Sequence, residues 1–403
     1  MKIAIISDTH FGFKENTELE NDCYINFEQA LESAINNSDM ILMPGDLFDL
    51  EEPSQKTYDN LFKIISKYTG EQKLKNNTNK KTLTSIPIII IAGTHEYKGK
   101  GYTSPIDVIE SSNYFYQLKH SNIIFETENE KINICGMSGV PEKYAKDVIK
   151  KIDFKPLENS TNILMTHQSY NELLAFDDEM VSNLSLDDLP LGFDLYINGH
   201  LHKKQIIKSN KFFVIPGSTI ITQIKKQEIK DPRGYMIFDT KTKEINFIEI
   251  PLQRKYFYEE IKLENTNIED IKTEIIKKIE NVKNEFVEYN TEKLKPVLKI
   301  KLNATINFGE KSISEKDFPQ DYCILIIDKQ ISLTELKNKI ENINFEKNKQ
   351  TALQKSQETF IANLNNSNFK KSFDPEELMN IQKDNDPEKT TKYILEKVKE
   401  KLS

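Results

Sequence analysis

The chain has 403 residues, enough for two or three domains with a sizeable buried core. Its net charge of −8 excludes a basic protein that coats nucleic acid, so a polyanionic substrate would be held by local patches, metal ions or a partner. Arg233 and Arg254 are the only arginines, which favours backbone contact over base reading if nucleic acid binds.

Hydropathy and cysteine usage bear on the compartment. No apolar run is long enough to span a membrane, and the N-terminus lacks a charged and then apolar leader, which predicts a soluble, cytoplasmic protein without membrane contact. Cys23, Cys135 and Cys323 are odd in number and widely separated. We therefore expect three packing residues rather than disulfides or a cysteine-based zinc site.

Strand-like apolar runs alternate with amphipathic stretches over residues 1–252, a pattern typical of layered α/β domains. Strands are predicted at 3–6, 40–43, 88–91, 163–165, 195–197, 212–215 and 235–238, and helices at 27–35 and 58–68. A polar stretch at 69–85 is predicted to be a surface loop. The shorter spacing after about residue 194 indicates that the second half of this domain is mostly β.

The composition changes after Pro251, which predicts a separate small α+β domain over 255–335. Its predicted elements are strands at 256–263, 297–302 and 323–327 and a helix at 268–286. Residues 345–403 are polar and are predicted to form a linker and C-terminal helices. Asp374 and Asp386 each precede a proline and acidic residues, a pattern typical of helix starts.

Five short polar motifs contain five of the six histidines. They read Asp8-Thr9-His10, Gly45-Asp46-Leu47-Phe48-Asp49, Gly93-Thr94-His95-Glu96, Thr166-His167-Gln168 and Gly199-His200-Leu201-His202. Each follows a predicted strand, so the polar side chains are expected at the carboxyl ends of strands, where an α/β fold presents its crevice. The remaining histidine, His120, lies in a polar turn and is interpreted as structural.

Aspartate and histidine without thiolate are typical ligands of borderline to hard divalent ions such as manganese, iron, zinc or magnesium. The motifs offer more ligands than one ion uses, which indicates a pair of ions. Two ions about 3.5 to 4 Å apart that share a carboxylate suit in-line hydrolysis of a phosphoester. The residues themselves therefore predict phosphoester hydrolysis.

The motif set resembles the calcineurin-like metallophosphoesterase superfamily, whose pattern is D-x-H, G-D, G-N-H-[DE], H and G-H-x-H. Segments 45–49, 104–110, 164–168, 186–190 and 214–219 narrow this further. They resemble the archaeal Mre-eleven, or SbcD-type, nucleases, which repair DNA double-strand breaks with the SMC-like ATPase Rad-fifty. The resemblance covers about 1–255 well. It implies a two-sheet α/β sandwich flanked by helices, a DNA-contacting capping domain and C-terminal helices.

The resemblance also implies a role for each motif residue. The ligands of the first metal would be Asp8, His10, Asp46 and His202; Asp46 would bridge to a second metal that also takes His167, His200 and Thr94. His95 would be the catalytic histidine that protonates or stabilises the leaving oxygen. Asp49 occupies a position where many relatives carry a histidine implicated in placing the DNA end. Two Mn²⁺ ions are the expected cofactors, with Mg²⁺, Fe²⁺ or Zn²⁺ as alternatives.

Thr94 departs from the asparagine of the family, whose amide oxygen reaches the second metal. Three interpretations stay open. A water could bridge Thr94 to the metal, the second site could be weak and fill only at high metal concentration, or the residue could be a natural or introduced change that cripples the site.

Several lysines flank the last residues of two motifs and are candidate phosphate contacts. They are Lys98 and Lys100 after the third motif and Lys203 and Lys204 after the fifth. Such contacts suit sequence-independent binding of a strand. The alternative is ordinary solvated lysine, which is abundant in this chain.

The resemblance implies a manganese-dependent 3′–5′ exonuclease and single-strand endonuclease that acts on DNA ends as a nucleoid-associated homodimer with two Rad-fifty subunits. Residues 341–403 carry as many lysines as acidic residues, a poor composition for a DNA tail. Helix docking on Rad-fifty fits better, with packing on the chain's own domain as the alternative. Two rival functions stay open: a nucleotide or small-molecule phosphodiesterase on the same scaffold, and a non-catalytic scaffold subunit weakened by Thr94.

Overall fold

The computed structural model describes residues 1–70, 84–99, 101–173, 184–289, 294–306 and 313–333, together with 391–393, 395 and 397, which are helical. Most of the predicted loop at 69–85 lies outside these residues. So do Lys100, both predicted helix starts at Asp374 and Asp386, and most of the predicted C-terminal helices.

Between residues 1 and 333 the described residues form fifteen strands and five α-helices. In chain order the strands are β1 (Lys2–Ile5), β2 (Met40–Met43), β3 (Ile88–Ile90), β4 (Tyr116–Gln117), β5 (Ser121–Glu126), β6 (Lys131–Met137), β7 (Thr161–Thr166), β8 (Leu195–Asn198), β9 (Gln205–Lys208), β10 (Phe212–Ile215), β11 (Gly234–Asp239), β12 (Glu244–Glu249), β13 (Tyr256–Thr266), β14 (Val297–Ile306) and β15 (Ile324–Leu333). The helices are α1 (Asp22–Asn37), α2 (Gln55–Ile65), α3 (Pro105–Glu110), α4 (Glu142–Ile152) and α5 (Ile268–Tyr289).

Two six-stranded sheets contain β1 to β12. The first has the order β12-β11-β1-β2-β3-β4, and the second has the order β5-β6-β7-β8-β10-β9. The central pairs β1–β2, β2–β3, β6–β7 and β7–β8 are parallel, whereas β11, β12, β5 and β9 pair antiparallel towards the edges. The predicted two-sheet α/β sandwich is confirmed.

The central strands are buried on both faces, which explains their continuous apolar sequences. Ile3 and Ile5 of β1 belong to a core between the sheets that also contains Ile197 of β8. The alternate residues Ala4 and Ile6 point the other way, into a second core with helices α1 and α2. Full burial of each of these isoleucine side chains contributes about 1.5–3 kcal/mol.

Helix α1 anchors the loop that follows β1. Phe11 is buried, and its ring stacks on Tyr24 with centroids 5.2 Å apart and meets Phe27 edge-on at 5.0 Å. Phe11 also forms an isolated parallel bridge with Phe48. The loops after β1 and β2 are therefore held in register beside each other by packing and backbone pairing.

The chain divides into two compact units that interleave along the sequence. One comprises Met1–Glu259, Lys278–Ile300 and Pro319–Ile326, and the other comprises Glu260–Lys277, Lys301–Phe318 and the residues from Ile327 onwards. Strands β13, β14 and β15 form a three-stranded sheet in the order of the sequence. The predicted domain boundaries at 252, 255 and 335 stay predictions.

Two expectations about solvent and redox chemistry can be compared with the structure. Cys23, Cys135 and Cys323 are buried free thiols, as their predicted packing role requires. Burial raises the pKa of Cys23 and Cys135 to about 12 and that of Cys323 to about 11. Among the described helices, none is both long and apolar enough to cross a membrane.

Candidate metal centre

The polar motifs meet at the carboxyl ends of strands from both sheets. Strands β1, β2 and β3 lead into the first three motifs, and β7 and β8 lead into the last two. Three groups of candidate ligands result within the described residues, each with ligand atoms within 4.8 Å of one another: Asp8, His10 and His202; Asp46, His167 and His200; His10, Asp49 and His95. The first two groups each combine residues from the two sheets. His120 belongs to none of the three.

The backbone at four candidate ligands is left-handed. The φ angles are 49° at Asp8, 48° at His10, 48° at Asp46 and 74° at His200. Such angles are uncommon outside glycine, and the surrounding structure must hold them in place. The amide of Asp8 donates to the Gly45 carbonyl at 3.3 Å, and that of His10 donates to the Asp46 carbonyl at 3.2 Å. Backbone pairing between the loops thus sets the direction of these side chains.

Two glycines allow the motifs to approach this closely. A Cβ on Gly93 would lie 2.1 Å from Oδ1 of Asp46, and a Cβ on Gly199 would lie 2.2 Å from the carbonyl oxygen of Pro44. Both distances are far below contact, so only glycine fits at these positions. Gly93 and Gly199 therefore allow their loops to pack directly against Asp46 and Pro44.

The first group places two imidazole nitrogens against each other. Nε2 of His10 lies 3.1 Å from Nε2 of His202. The opposite nitrogens face other groups: Nδ1 of His10 lies 3.3 Å from the carboxylate oxygen Oδ1 of Asp49, and Nδ1 of His202 lies 2.7 Å from Oγ1 of Thr222. Burial and the neighbouring His10 lower the pKa of His202 to about 3. The two Nε2 atoms thus face each other, and a proton or a cation between them would satisfy both.

Asp8 completes the first group. Its carboxylate is fully buried, accepts a hydrogen bond at 2.9 Å from the backbone amide of His200, and accepts another from the Ser7 hydroxyl. Burial raises the pKa of Asp8 to about 6 against the opposing effect of His167. A buried acid of this kind gains most from a cation beside it.

The second group leaves a buried nitrogen without a hydrogen bond. Nδ1 of His167 donates to the carbonyl of Pro44 at 2.7 Å, while its Nε2 is buried, has no hydrogen-bond partner and lies 3.1 Å from Oδ2 of Asp46. Burial alone would lower the pKa of His167, but Asp46 outweighs it and raises the pKa to about 9. The pKa of Asp46 is lowered in turn, because His167 and His10 outweigh the effect of burial.

These contacts fit a pair of divalent cations. His167 Nε2 faces a carboxylate oxygen, and His10 Nε2 faces another ring nitrogen, so each place has two electron-pair donors that only a proton or a cation satisfies together. The donors are imidazole and carboxylate without thiolate, the set that borderline to hard divalent ions prefer. The site is therefore chemically suited to divalent metals.

Thr94 lies beside the carboxylate of Asp46. Its hydroxyl donates to Oδ2 of Asp46 at 3.4 Å, the same oxygen that faces His167. The hydroxyl thus has an anionic partner within the protein.

His95 is more accessible than His10 and His167. Its side chain is 41 % exposed, whereas that of His167 is fully buried. The amide of His95 donates to Oδ1 of Asp46 at 3.0 Å, and its Nδ1 donates to the backbone carbonyl of Asp49. Nε2 lies 4.0 Å from Oδ2 of Asp46, which leaves it open to a group outside the protein.

Glu96 has a role that the sequence analysis did not assign. Its side chain is fully buried and accepts backbone hydrogen bonds from Gly93 at 2.6 Å, Phe48 at 2.7 Å and Asp46 at 3.1 Å. Burial and the neighbouring Asp46 raise its pKa to about 7. Glu96 therefore ties the loop after β2 to the loop after β3. The acidic position of the G-N-H-[DE] pattern was the signal that could have found it.

The predicted substrate-binding residues lie in different surroundings. Asp49 contacts His10 and His95 through its side chain and backbone. Lys98 pairs with the carboxylates of Glu51 and Glu52 at 3.1 and 3.7 Å. Lys204 places its ammonium 3.6 Å above the ring of Phe247, and Lys203 is exposed. Lys100 lies outside the described residues, and DNA contact by all five residues stays a prediction.

Comparison with known proteins adds independent information. Residues 1–204, just over half of the chain, match the model of the family described as Calcineurin-like phosphoesterase. The matched segment contains all five motifs. It therefore includes every residue of the three groups of candidate ligands.

Similar proteins occur in archaea and in animals. The "DNA double-strand break repair protein Mre11" of Sulfolobus acidocaldarius, a protein of the Mre-eleven type, is 28 % identical over 319 residues, which cover 76 % of this chain and 76 % of that protein. The protein of the same name from Sulfurisphaera tokodaii is 30 % identical over 251 residues, or 59 % of each chain. The "Double-strand break repair protein MRE11" of Mus musculus is 27 % identical over 310 residues, 66 % of this chain but 43 % of that protein.

The family match and the geometry agree on the same residues. Ligands brought together from both sheets are the ones that the five motifs supply, and the motifs fall within the matched segment. The chain belongs to the calcineurin-like phosphoesterase family.

Proposed function

We propose that this chain is the nuclease subunit of a DNA double-strand break repair complex, and that it hydrolyses DNA phosphodiesters with two Mn²⁺ ions. The observation that carries the proposal is the pair of buried imidazole–carboxylate groups that meet beside the exposed His95. Similar proteins named for double-strand break repair support DNA as the substrate.

The residues present define where the ions would bind. Asp8, His10 and His202 would hold one ion, His167 and His200 the other, and Asp46 would contribute to both. When bound, two divalent ions polarise the phosphate and lower the pKa of an attacking water. The carboxylates of Asp8 and Asp46 are buried and aligned by backbone amides.

His95 supplies the proton chemistry of the proposed reaction. The Asp49 carbonyl holds Nδ1–H, so Nε2 is the nitrogen available to the substrate. A protonated Nε2 would donate to the leaving oxygen as its bond to phosphorus breaks. A positioned general acid of this type contributes about 10² to 10⁴ in rate.

The proposed activity is sequence-independent 3′–5′ exonuclease and single-strand endonuclease cleavage at DNA ends. The scarcity of arginine in the chain agrees with contact to the DNA backbone rather than to the bases. The proposal extends to a nucleoid-associated homodimer in which 255–335 contacts DNA and the C-terminal helices of 345–403 bind Rad-fifty.

The position of Thr94 favours a second candidate, a scaffold subunit with weakened catalysis. Its hydroxyl is hydrogen-bonded to Asp46, and threonine offers a weaker neutral ligand than the asparagine of the family. In that case partner binding would persist while cleavage would need high metal concentrations.

Cleavage of a labelled DNA duplex end tests the proposal. The chain as it stands, His95→Ala and the control His120→Ala are compared with and without manganese, on the duplex and on bis(p-nitrophenyl) phosphate. We expect metal-dependent shortening of DNA by the unaltered chain and by His120→Ala, and its loss in His95→Ala. Turnover of bis(p-nitrophenyl) phosphate without DNA cleavage would support a small-molecule phosphodiesterase instead.

A further inference from the structure

A chain of hydrogen bonds reaches one candidate ligand from outside the five motifs. It starts at Glu142, the first residue of α4, and passes through Ser169, which follows β7, to His200 after β8. Glu142 Oε1 lies 3.0 Å from the Ser169 hydroxyl, which lies 3.0 Å from Nε2 of His200. Ser169 is buried, so solvent does not compete for its hydroxyl.

The hydrogen positions follow from what each group can donate. An ionised carboxylate only accepts, so the single hydroxyl hydrogen of Ser169 points to Glu142. The Ser169 oxygen then accepts from the ring of His200, which places the imidazole hydrogen on Nε2. The lone pair is left on Nδ1, the nitrogen that His200 can offer to the group with Asp46 and His167.

The neighbouring histidine of the same motif is oriented in the opposite sense. His202 has its Nδ1 against Thr222 and its Nε2 towards His10. The backbone amide of His200 is meanwhile fixed by the buried carboxylate of Asp8. His200 and His202 therefore direct different ring nitrogens at their ligand groups. The hydrogen-bond partner of the opposite nitrogen determines which one is available in each ring.

We propose that Glu142 and Ser169 are positioning residues that fix the Nε2–H tautomer of His200 and thereby set the affinity of the second metal site. The inference rests on the proposed function for the identity of the ion. Outer partners of ligating histidines typically change metal affinity 10–100-fold when removed. Because Glu142 begins α4, the relay also couples the position of that helix to the second site.

The test uses the full chain and two readouts. In the metal-free protein, long-range proton–nitrogen NMR of ¹⁵N-histidine reports the tautomer of His200, whose pKa is lowered to about 4 by burial and by His167, so that the ring is neutral at pH 7.5. Calorimetric titration with manganese then gives the affinity of each site. The variants are Glu142→Gln, Ser169→Ala and the conservative Ser169→Thr, with Glu158→Gln as an exposed carboxylate control.

We expect Nε2–H on His200 in the unaltered chain, Glu158→Gln and Ser169→Thr. Glu142→Gln can donate to Ser169 and release its hydroxyl, so this variant and Ser169→Ala should populate Nδ1–H. Both should weaken one manganese site about 10–100-fold and leave the other within about twofold. Unchanged thermal melting would show that the variants fold.

Three results would overturn the inference: Nδ1–H in the unaltered chain, an unchanged tautomer in both Glu142→Gln and Ser169→Ala, or equal weakening of the two sites. Failure of the unaltered chain to bind manganese would instead overturn the proposed function. The tautomer of the metal-free protein needs no ion and decides the positioning role in that case as well.

Discussion

The carboxylate of Asp49 lies 3.3 Å from Nδ1 of His10, on the side of the ring that faces away from His202. A carboxylate behind a ligating histidine fixes the tautomer and raises the basicity of the other nitrogen. The backbone carbonyl of the same residue holds the ring of His95. One residue thus supports a candidate ligand through its side chain and the candidate acid through its backbone.

Replacing Asp49 should separate these two roles. Asp49→Asn removes the charge behind His10 but keeps the carbonyl that holds His95, so we expect metal affinity to fall about 10–100-fold. Hydrolysis of bis(p-nitrophenyl) phosphate, which needs no contact with a DNA end, should at saturating manganese be close to that of the unaltered chain. Asp59→Asn, an exposed carboxylate, is the control in calorimetry and cleavage assays. Impaired hydrolysis of this substrate at saturating metal would contradict the division of roles.

Thr94→Asn should strengthen the second metal site. Asparagine adds an amide oxygen where the threonine hydroxyl now bonds to Asp46. We expect the manganese concentration for half-maximal cleavage to fall about tenfold, which corresponds to about 1.4 kcal/mol of binding energy. Cleavage at saturating metal should change little. Equal metal dependence in both proteins would show that position 94 does not limit the site.

His95→Ala should slow the chemical step without loss of metal. The side chain of His95 is 41 % exposed. The residue hydrogen-bonds to Asp46 through its backbone amide. We expect kcat for DNA cleavage to fall by about 10² to 10⁴, with manganese affinity within about twofold. Calorimetry beside single-turnover cleavage measures both. A loss of metal binding in His95→Ala would identify the residue as a ligand instead of an acid.

Metal binding should release protons at neutral pH. Asp46 raises the pKa of His167 to about 9 against the effect of burial, so the metal-free ring carries two hydrogens at pH 7.5 and must lose one to bind an ion. The apparent affinity should therefore rise with pH by about tenfold per unit until pH 9 and then level off. Calorimetry in buffers of different ionisation enthalpy counts the released protons. A binding heat independent of the buffer would refute this expectation.

The buried pair of Arg254 and Asp22 should be important for stability. The guanidinium donates to both carboxylate oxygens at 2.7 Å, and both side chains are at most 7 % exposed. Arg254→Ala leaves a buried carboxylate unpaired, so we expect the free energy of unfolding to fall by about 3–5 kcal/mol. Urea denaturation measures the change. Lys63→Ala, which removes an exposed ion pair, should change it by less than about 1 kcal/mol.

Much of the fold could be predicted from the sequence because the central strands are buried on both faces. Ile3 to Ile6 and Met40 to Met43 read as unbroken apolar runs, and the motif histidines follow such runs directly. The sequence therefore located the strand ends where the ligands lie. Strand β13 was predicted to end at residue 263 but continues to Thr266. Its side chains are mostly half-buried or exposed, so the apolar pattern faded before the strand ended.

The supporting contacts of the site could not be predicted from the sequence. Ser169 reaches His200 across 31 positions, and Asp49 reaches His10 across the pairing of two loops. Such contacts depend on tertiary packing and leave no local pattern. Glu96 lies within a motif, yet its three backbone partners are set by the tertiary arrangement of the loops after β2 and β3.

The two candidate metal groups each draw donors from both sheets of the sandwich. An ion bound in either group would cross-link the loops of one sheet to the loops of the other. Because the unfolded chain has no preformed metal site, ion binding stabilises the folded sandwich relative to the unfolded chain. Removal of the ions by a chelator should therefore lower the stability of the fold as well as abolish the proposed hydrolysis.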